Sequence, residues 1–200
     1  MTRICTRAAA LAVALAVGAL PANAQRSRSQ SSGSILHSLT WSAGAGVSMP
    51  TGDLGDGAAT GFHVQGASAL RRPGWPISLR GELAYHRFGE KDYTLPGGRG
   101  QTIAYTGKAS SIAGALDASY AFAGGRRMKP YLLGGPGVYS NRSEVTPSGG
   151  TPTNASETKV GLNVGGGMNF PLAGHSAFLE ARYHHVDQAA WVPVTFGFRF

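Results

Sequence analysis

The nine residues Val192-Pro-Val-Thr-Phe-Gly-Phe-Arg-Phe200 alternate without a break: Val192, Val194, Phe196, Phe198 and Phe200 are apolar, and Pro, Thr, Gly and Arg lie between them. A period of two is the signature of a strand with one greasy face and one polar or small face. The alternation runs to the last residue, where soluble chains usually fray into polar residues. An apolar face of this kind requires an apolar covering.

The other end narrows what that covering is. Arg3 and Arg7 precede the apolar run from Ala8 to Leu20, which is followed by Pro21 and the A-x-A site Ala22-Asn23-Ala24. This is the arrangement of a secretory signal peptide over residues 1–24, cut after Ala24. The run is too short for a spanning helix, which needs about 20 apolar residues. The one cysteine, Cys5, lies inside this leader, so the exported chain is predicted to use neither disulfides nor thiol chemistry. Residues 25–36 read as a flexible polar segment and residues 37–200 as one folded domain.

Charged residues are 14% of the chain against roughly 25% in soluble domains, while hydrophobic ones reach 42%. No later stretch is long enough for a membrane helix, so entry into a membrane would have to be by strands. Strands can do this only as a closed barrel, because an open sheet leaves unpaired N–H and C=O groups in hydrocarbon. Removing Arg3 and Arg7 leaves 16 basic residues against 10 acidic, a net charge of +6. Export separates that charge from nucleic acid, and the basic residues form no aromatic-interleaved stripe, so no nucleic-acid partner is expected.

Each later segment can be tested for parity. Leu39, Trp41, Ala43, Ala45 and Val47 face away from Thr40, Ser42, Gly44, Gly46 and Ser48; Phe62, Val64 and Gly66 face away from His63, Gln65 and Ala67. Ile77, Leu79, Leu83 and Tyr85 oppose Ser78, Arg80, Glu82 and His86; Ile112, Leu116 and Tyr120 oppose Ser111, Asp117 and Ser119. Val160, Leu162 and Val164 oppose Lys159 and Asn163; Leu179, Ala181 and Tyr183 oppose Phe178, Glu180, Arg182 and His184. The segment from Tyr131 to Tyr139 is glycine-rich and its parity is undecided. With the terminal segment these make eight strands.

Connection lengths alternate too. Pro50–Thr60, Gly89–Gly107 and Asn141–Thr158 are long, whereas Arg72–Pro76, Ala123–Met128 and Pro171–Ser176 are short. Outer-membrane barrels pair short periplasmic turns with long external loops. The last external connection, Gln188–Trp191, departs from this by being short. An up-and-down order then puts Trp75, Tyr120, Phe122, Tyr131, Phe170 and Phe200 near one rim and Phe62, Tyr85, Tyr139, Tyr183 and Trp191 near the other, as two aromatic girdles.

An eight-stranded interior is wide enough only for side chains. The inward faces would bring together Arg80, Glu82, His86, Asp117, Glu180, Arg182 and Arg199. Buried charges need partners, so a salt-bridge network filling the lumen is expected.

Enzymatic and metal chemistry have weaker footing. The clusters Gly134-Gly-Pro-Gly137 and Gly165-Gly-Gly167 lack the context of a phosphate loop and read as close backbone packing. His184 and His185 point to opposite faces of a strand and cannot easily share an ion. His37-Ser38 and His175-Ser176 lack a third group on a lipid-facing surface, as a lipid hydrolase would need. No catalytic, metal or cofactor site is assigned, and the protein is read as a non-enzyme.

Over Leu39 to Phe200 the chain resembles the small outer-membrane β-barrel family of Gram-negative-type bacteria, similar to the membrane domain of outer-membrane protein A and to adhesion-related and opacity proteins. The leader, the eight alternating strands, the first loop Val47-Ser-Met-Pro-Thr-Gly-Asp-Leu-Gly-Asp-Gly57 and Phe200 carry the resemblance. It implies an all-β fold, an eight-stranded antiparallel up-and-down transmembrane β-barrel in the bacterial outer membrane. It also implies escort by periplasmic chaperones and insertion by the barrel-assembly machinery, with Phe196, Phe198 and Phe200 as the assembly signal. Outer-membrane lipid and lipopolysaccharide would surround the barrel, and a host or surface ligand could meet its external loops. The implied role is structural or surface-interacting; a lipid-modifying hydrolase and a narrow small-solute channel are the alternatives. A soluble lipocalin-like carrier would need an apolar interior, the reverse of the polarity here.

Overall fold

A computed structural model describes residues 39–96, 101–122, 127–187 and 189–200. The strands are β1 (Leu39–Thr51), β2 (Ala59–Arg71), β3 (Ile77–Gly89), β4 (Lys91–Pro96), β5 (Thr102–Ala121), β6 (Lys129–Pro147), β7 (Thr153–Leu172), β8 (His175–Val186) and β9 (Ala189–Arg199), with one short helix, α1 (Asp53–Gly57). The sheet order is β3-β2-β1-β9-β8-β7-β6-β5-β4, and β3 also pairs with β5. That last pairing closes the sheet. β4 stands outside the ring as a continuation of β3 beyond Glu90, paired with the far end of β5. Eight strands therefore form an antiparallel barrel in which every ring strand has two neighbours, the condition for crossing hydrocarbon.

Alternation governs each wall strand. On β3, Arg80, Glu82, Ala84, His86 and Phe88 are buried inside, while Leu79, Leu83 and Tyr85 lie on the outer surface. On β7 the outward Val160, Leu162 and Val164 are 61–72% exposed, an arrangement that only a lipid surround makes favourable. The seam between β1 and β9 is fully registered, from Ser42 opposite Arg199 to Thr51 opposite Ala190. Trp41 and Phe200 extend it by exchanging backbone hydrogen bonds of 2.9 Å.

Structure settles the glycine-rich strand. On β6, Leu132 and Val138 face out, and Tyr131, Leu133 and Tyr139 are buried inside. This corrects the expectation for three girdle aromatics: Tyr131, Tyr139 and Trp191 all point inward, where the two tyrosine hydroxyls meet Glu180 and His184 and the Trp191 ring stacks on His184. Phe62, Trp75, Tyr85, Tyr120, Phe122, Tyr183 and Phe200 are exposed on the outside, as is Trp41. Small residues make the inward rings possible. A Cβ on Gly137 would lie 2.8–2.9 Å from three atoms of the Tyr139 side chain.

A second correction concerns the long connections. Gly89–Gly107 and Asn141–Thr158 are mostly strand: β4 pairs with β5 from Lys91/Gly107 to Pro96/Thr102, and β6 pairs with β7 up to Val145/Thr153. Tyr105 and Pro147 join β5 to β6 at the same height. These four strands continue above the wall as a sheet. Beyond hydrocarbon neither face needs to be apolar, so the period-two contrast that marks a wall strand disappears. At the opposite end β7 turns into β8 through Ala173 and Gly174, both with positive φ (50° and 81°), the two-residue geometry that matches strand twist.

Candidate functional site in the barrel lumen

The inward residues of β3 and β8 decide what fills the barrel. β3 supplies Arg80 and Glu82; β8 supplies Glu180 and Arg182, the same spacing with the charges reversed. The two strands are four steps apart in either direction round the ring, so they face each other across its diameter and run the same way. Each arginine is thus placed level with a carboxylate.

Contacts follow from that placement. Arg80 reaches Glu180 across the lumen and Glu82 on its own strand, both at 2.6 Å. Arg182 reaches Glu82 at 2.6 Å, Glu180 at 2.8 Å and, on β5, Asp117 at 3.0 Å. All five groups are buried. Neutral donors complete the carboxylates: the Tyr131 hydroxyl donates to Glu180 at 2.6 Å, and the Asn163 amide donates to Asp117 at 2.8 Å.

His86 and Arg199 lie outside this cluster. Arg199 sits towards the β7–β8 turn, its guanidinium carbon 5.0 Å from the Tyr131 ring centre and 5.5 Å from that of Phe178, so ring faces rather than carboxylates hold its charge. His86 belongs to a separate layer on the outer side of the ion pairs. There Ser48 Oγ lies 2.8 Å from His86 Nδ1 and 3.0 Å from His63 Nδ1, and His63 Nε2 lies 2.8 Å from Thr195 Oγ1.

Donor bookkeeping fixes the direction of this chain. Thr195 donates to Gln65 Oε1 at 3.3 Å, so His63 Nε2–H donates to Thr195. With the one ring proton of a neutral imidazole on Nε2, His63 Nδ1 accepts from Ser48, and His86 Nδ1–H donates to Ser48. Tyr139 and His184 make a further contact at 2.9 Å, and the Trp191 ring stacks on His184 at 5.2 Å with an interplanar angle of 3°.

Above that layer the lumen turns apolar. Ala58, Phe88, Val186 and Trp191 pack together, and Leu54 of α1 packs on them from the mouth. Lys91 Nζ donates to the Gly55 carbonyl at 2.5 Å and ties the helix to β4. The lumen is therefore layered: stacked arginine, ion pairs, neutral polar chain, apolar cap.

Parity had placed His63, Gln65, Asn163 and His184 on polar faces without assigning them partners. Tyr131 and Tyr139 were missed because β6 carries no contrast of its own, whereas Trp191 shares the parity of Pro193 and Thr195, a signal that the girdle assignment passed over. The reversed pair Arg80-x-Glu82 and Glu180-x-Arg182 is the sequence signal that could have located the centre of the network. Among the described residues no group of three or more His, Cys, Asp or Glu is arranged to hold a metal ion. His175 and Ser176 are exposed, with His175 Nδ1 3.0 Å from the Ala173 carbonyl. Phe196 and Phe198 are exposed on the outer face with ring centres 5.4 Å apart, and Phe200 is 74% exposed. Ala22, Ala24 and His37-Ser38 lie outside the described residues.

Solved structures share this architecture. The chain is similar to neisserial surface protein A (TM-score 0.55, 21% identity, covering 81% of this chain and 96% of that one). It is also similar to a major outer membrane protein of Thermus thermophilus (0.59, 14%, 82% and 99%) and to the N-terminal β-barrel domain of Pseudomonas aeruginosa OprF (0.50, 13%, 82% and 98%). No curated protein matches. A family profile, described as the outer membrane protein beta-barrel domain, matches residues 10–192. The match runs through β1 to β8 and into β9, the strands of the closed ring: the chain belongs to the family of outer membrane protein β-barrel domains.

Proposed function

We propose that this protein is a non-enzymatic barrel of the bacterial outer membrane that anchors and presents an external surface, with its lumen closed. The observation carrying this reading is the pair of ion bridges spanning the diameter, Arg80 to Glu180 and Arg182 to Glu82. Charged groups so matched are turned to one another rather than offered to a passing solute, and the apolar cap under α1 adds a second barrier. The imidazoles and the Ser48 hydroxyl are buried among one another rather than turned towards lipid, which supports a structural use over hydrolysis.

Presentation falls to the sheet formed by β4 and the outer ends of β5, β6 and β7. Export by the leader cut after Ala24, escort by periplasmic chaperones, and assembly through Phe196, Phe198 and Phe200 complete the proposal. A host or surface ligand would be met by the external sheet.

Planar-bilayer recording of the folded protein is expected to show no discrete current steps. Steady steps in the unmodified protein would establish the narrow channel instead. Replacing the outer ends of β4–β5 and of β6–β7 with tight turns, then scoring adhesion and serum resistance, is expected to abolish surface phenotypes while permeability stays constant.

A further inference from the structure

The outer edge of the lipid-facing wall carries two arginines in one row. Phe62 of β2 is opposite Arg87 of β3, Arg87 is opposite Ser110 of β5, and Ser110 is opposite Arg142 of β6. Directly paired residues in antiparallel strands share a face, so all four side chains project outward. Arg87 and Arg142 are two strands apart, about 10 Å between backbones. Among the described residues neither has an ion-pair partner.

The rows on either side define the setting. One rung towards the membrane lie Val64, Tyr85 and Ile112, joined to Ser140, and below them Leu83 and Val138. One rung outward, Lys108 is opposite Glu144 and is held by Glu90 at 3.0 Å, so that level carries one lysine against two carboxylates. A depression of about 400 Å³ opens here, lined by Phe62, Tyr85, Arg87, Ser110 and Arg142, with Lys108, Glu90 and Glu144 at its upper edge. It adjoins the place where β2 and β3 slip register between Ala59 and Phe62.

Two unpaired guanidinium groups directly above an apolar wall match a ligand with anionic groups at one end and hydrocarbon at the other. Guanidinium forks suit phosphate oxygens, and the carboxylates above confine such a group to the arginine row. We propose that Arg87 and Arg142 bind the phosphates of an outer-leaflet glycolipid whose acyl chains lie on Phe62, Val64, Tyr85 and Ile112. This rests on the outer-membrane reading.

The test titrates the full-length protein, folded in detergent micelles, with bisphosphorylated lipid A, and reads retained lipid by native mass spectrometry. R87Q/R142Q is expected to bind about tenfold more weakly or worse. R71Q/R72Q, altered at the opposite rim, should match the unmodified protein. Dephosphorylated lipid A should bind the unmodified protein as weakly as lipid A binds R87Q/R142Q, a comparison that depends on no variant folding. Equal retention by the double glutamine variant, or equal binding of the dephosphorylated lipid, would overturn the proposal. Displacement of lipid A by inorganic phosphate alone would also overturn it, by showing a free-anion site. Heat-modifiable gel migration reports barrel formation separately, so failure of the barrel reading and failure of the lipid site give different results.

Discussion

Arg182 of β8 and Glu82 of β3 meet at 2.6 Å although their strands stand on opposite sides of the ring. A contact of this kind braces the wall in a direction that no backbone hydrogen bond does, since those run only between neighbours. Arg80 and Glu180 repeat the brace one level lower.

Arg182 touches three carboxylates, so R182A leaves Glu82, Asp117 and Glu180 short of a partner at once. Loss of one member of a buried ion cluster costs about 3–5 kcal/mol. Urea unfolding of the protein in lipid vesicles should show a loss of that size. A change below about 1 kcal/mol, the range of exposed ion pairs, would mean that water hydrates the lumen charges.

Tyr131 stacks on Arg199 and donates its hydroxyl to Glu180. Y131F keeps the ring and removes the donor, and a hydrogen bond to a charged group contributes about 1.5–3 kcal/mol. The same titration should therefore place Y131F between the unmodified protein and R182A.

A Cβ at Gly137 would have three atoms of the Tyr139 side chain as its nearest neighbours. G137A is expected to destabilise by about 1–3 kcal/mol, the range for overpacked sites. Combined with Y139L its added cost should shrink, giving a coupling of about 0.5–3 kcal/mol. Strict additivity in this double-mutant cycle would contradict the inward placement of Tyr139.

Trp191 is completely buried in the lumen, while Trp41 and Trp75 are 54% and 53% exposed on the outside. In single-tryptophan variants, brominated acyl chains should quench Trp41 strongly and leave Trp191 bright. Quenching of Trp191 by the lipid would place it back in a girdle.

The β1–β9 seam includes both backbone hydrogen bonds between Trp41 and Phe200. Deleting Phe198–Phe200 is expected to leave protein that is exported but absent from the outer-membrane fraction and fully digested by protease. Normal insertion of the truncated chain would remove the assembly role assigned to these residues.

The wall was legible because lipid on one side and packed charge on the other impose opposite demands on successive residues. Leu79, Arg80, Glu82 and Leu83 show that contrast locally. Tyr131, Tyr139 and Trp191 did not, since a tyrosine or tryptophan suits both a membrane interface and a lumen with polar partners. The direction of the two tyrosines depends on the register of β6 against β5 and β7, which is a property of three strands rather than one. The partners of each lumen charge were hidden for a related reason. Arg80 and Glu180 are separated by a hundred positions in the chain, and only closure of the ring brings them face to face.

The external sheet has a further implication. β6 and β7 have 19 and 20 residues, whereas a spanning strand needs about 9–11, so roughly half of each rises clear of the membrane. Their pairing there is inherited from the rungs below, which lipid and lumen hold in place. Removing one residue from each side of the tip at Ser148–Gly150 would lower the mast by a rung, about 3.3 Å, with no change to the wall. Height above the membrane is in this way an evolutionary variable separable from folding, adjustable in paired steps.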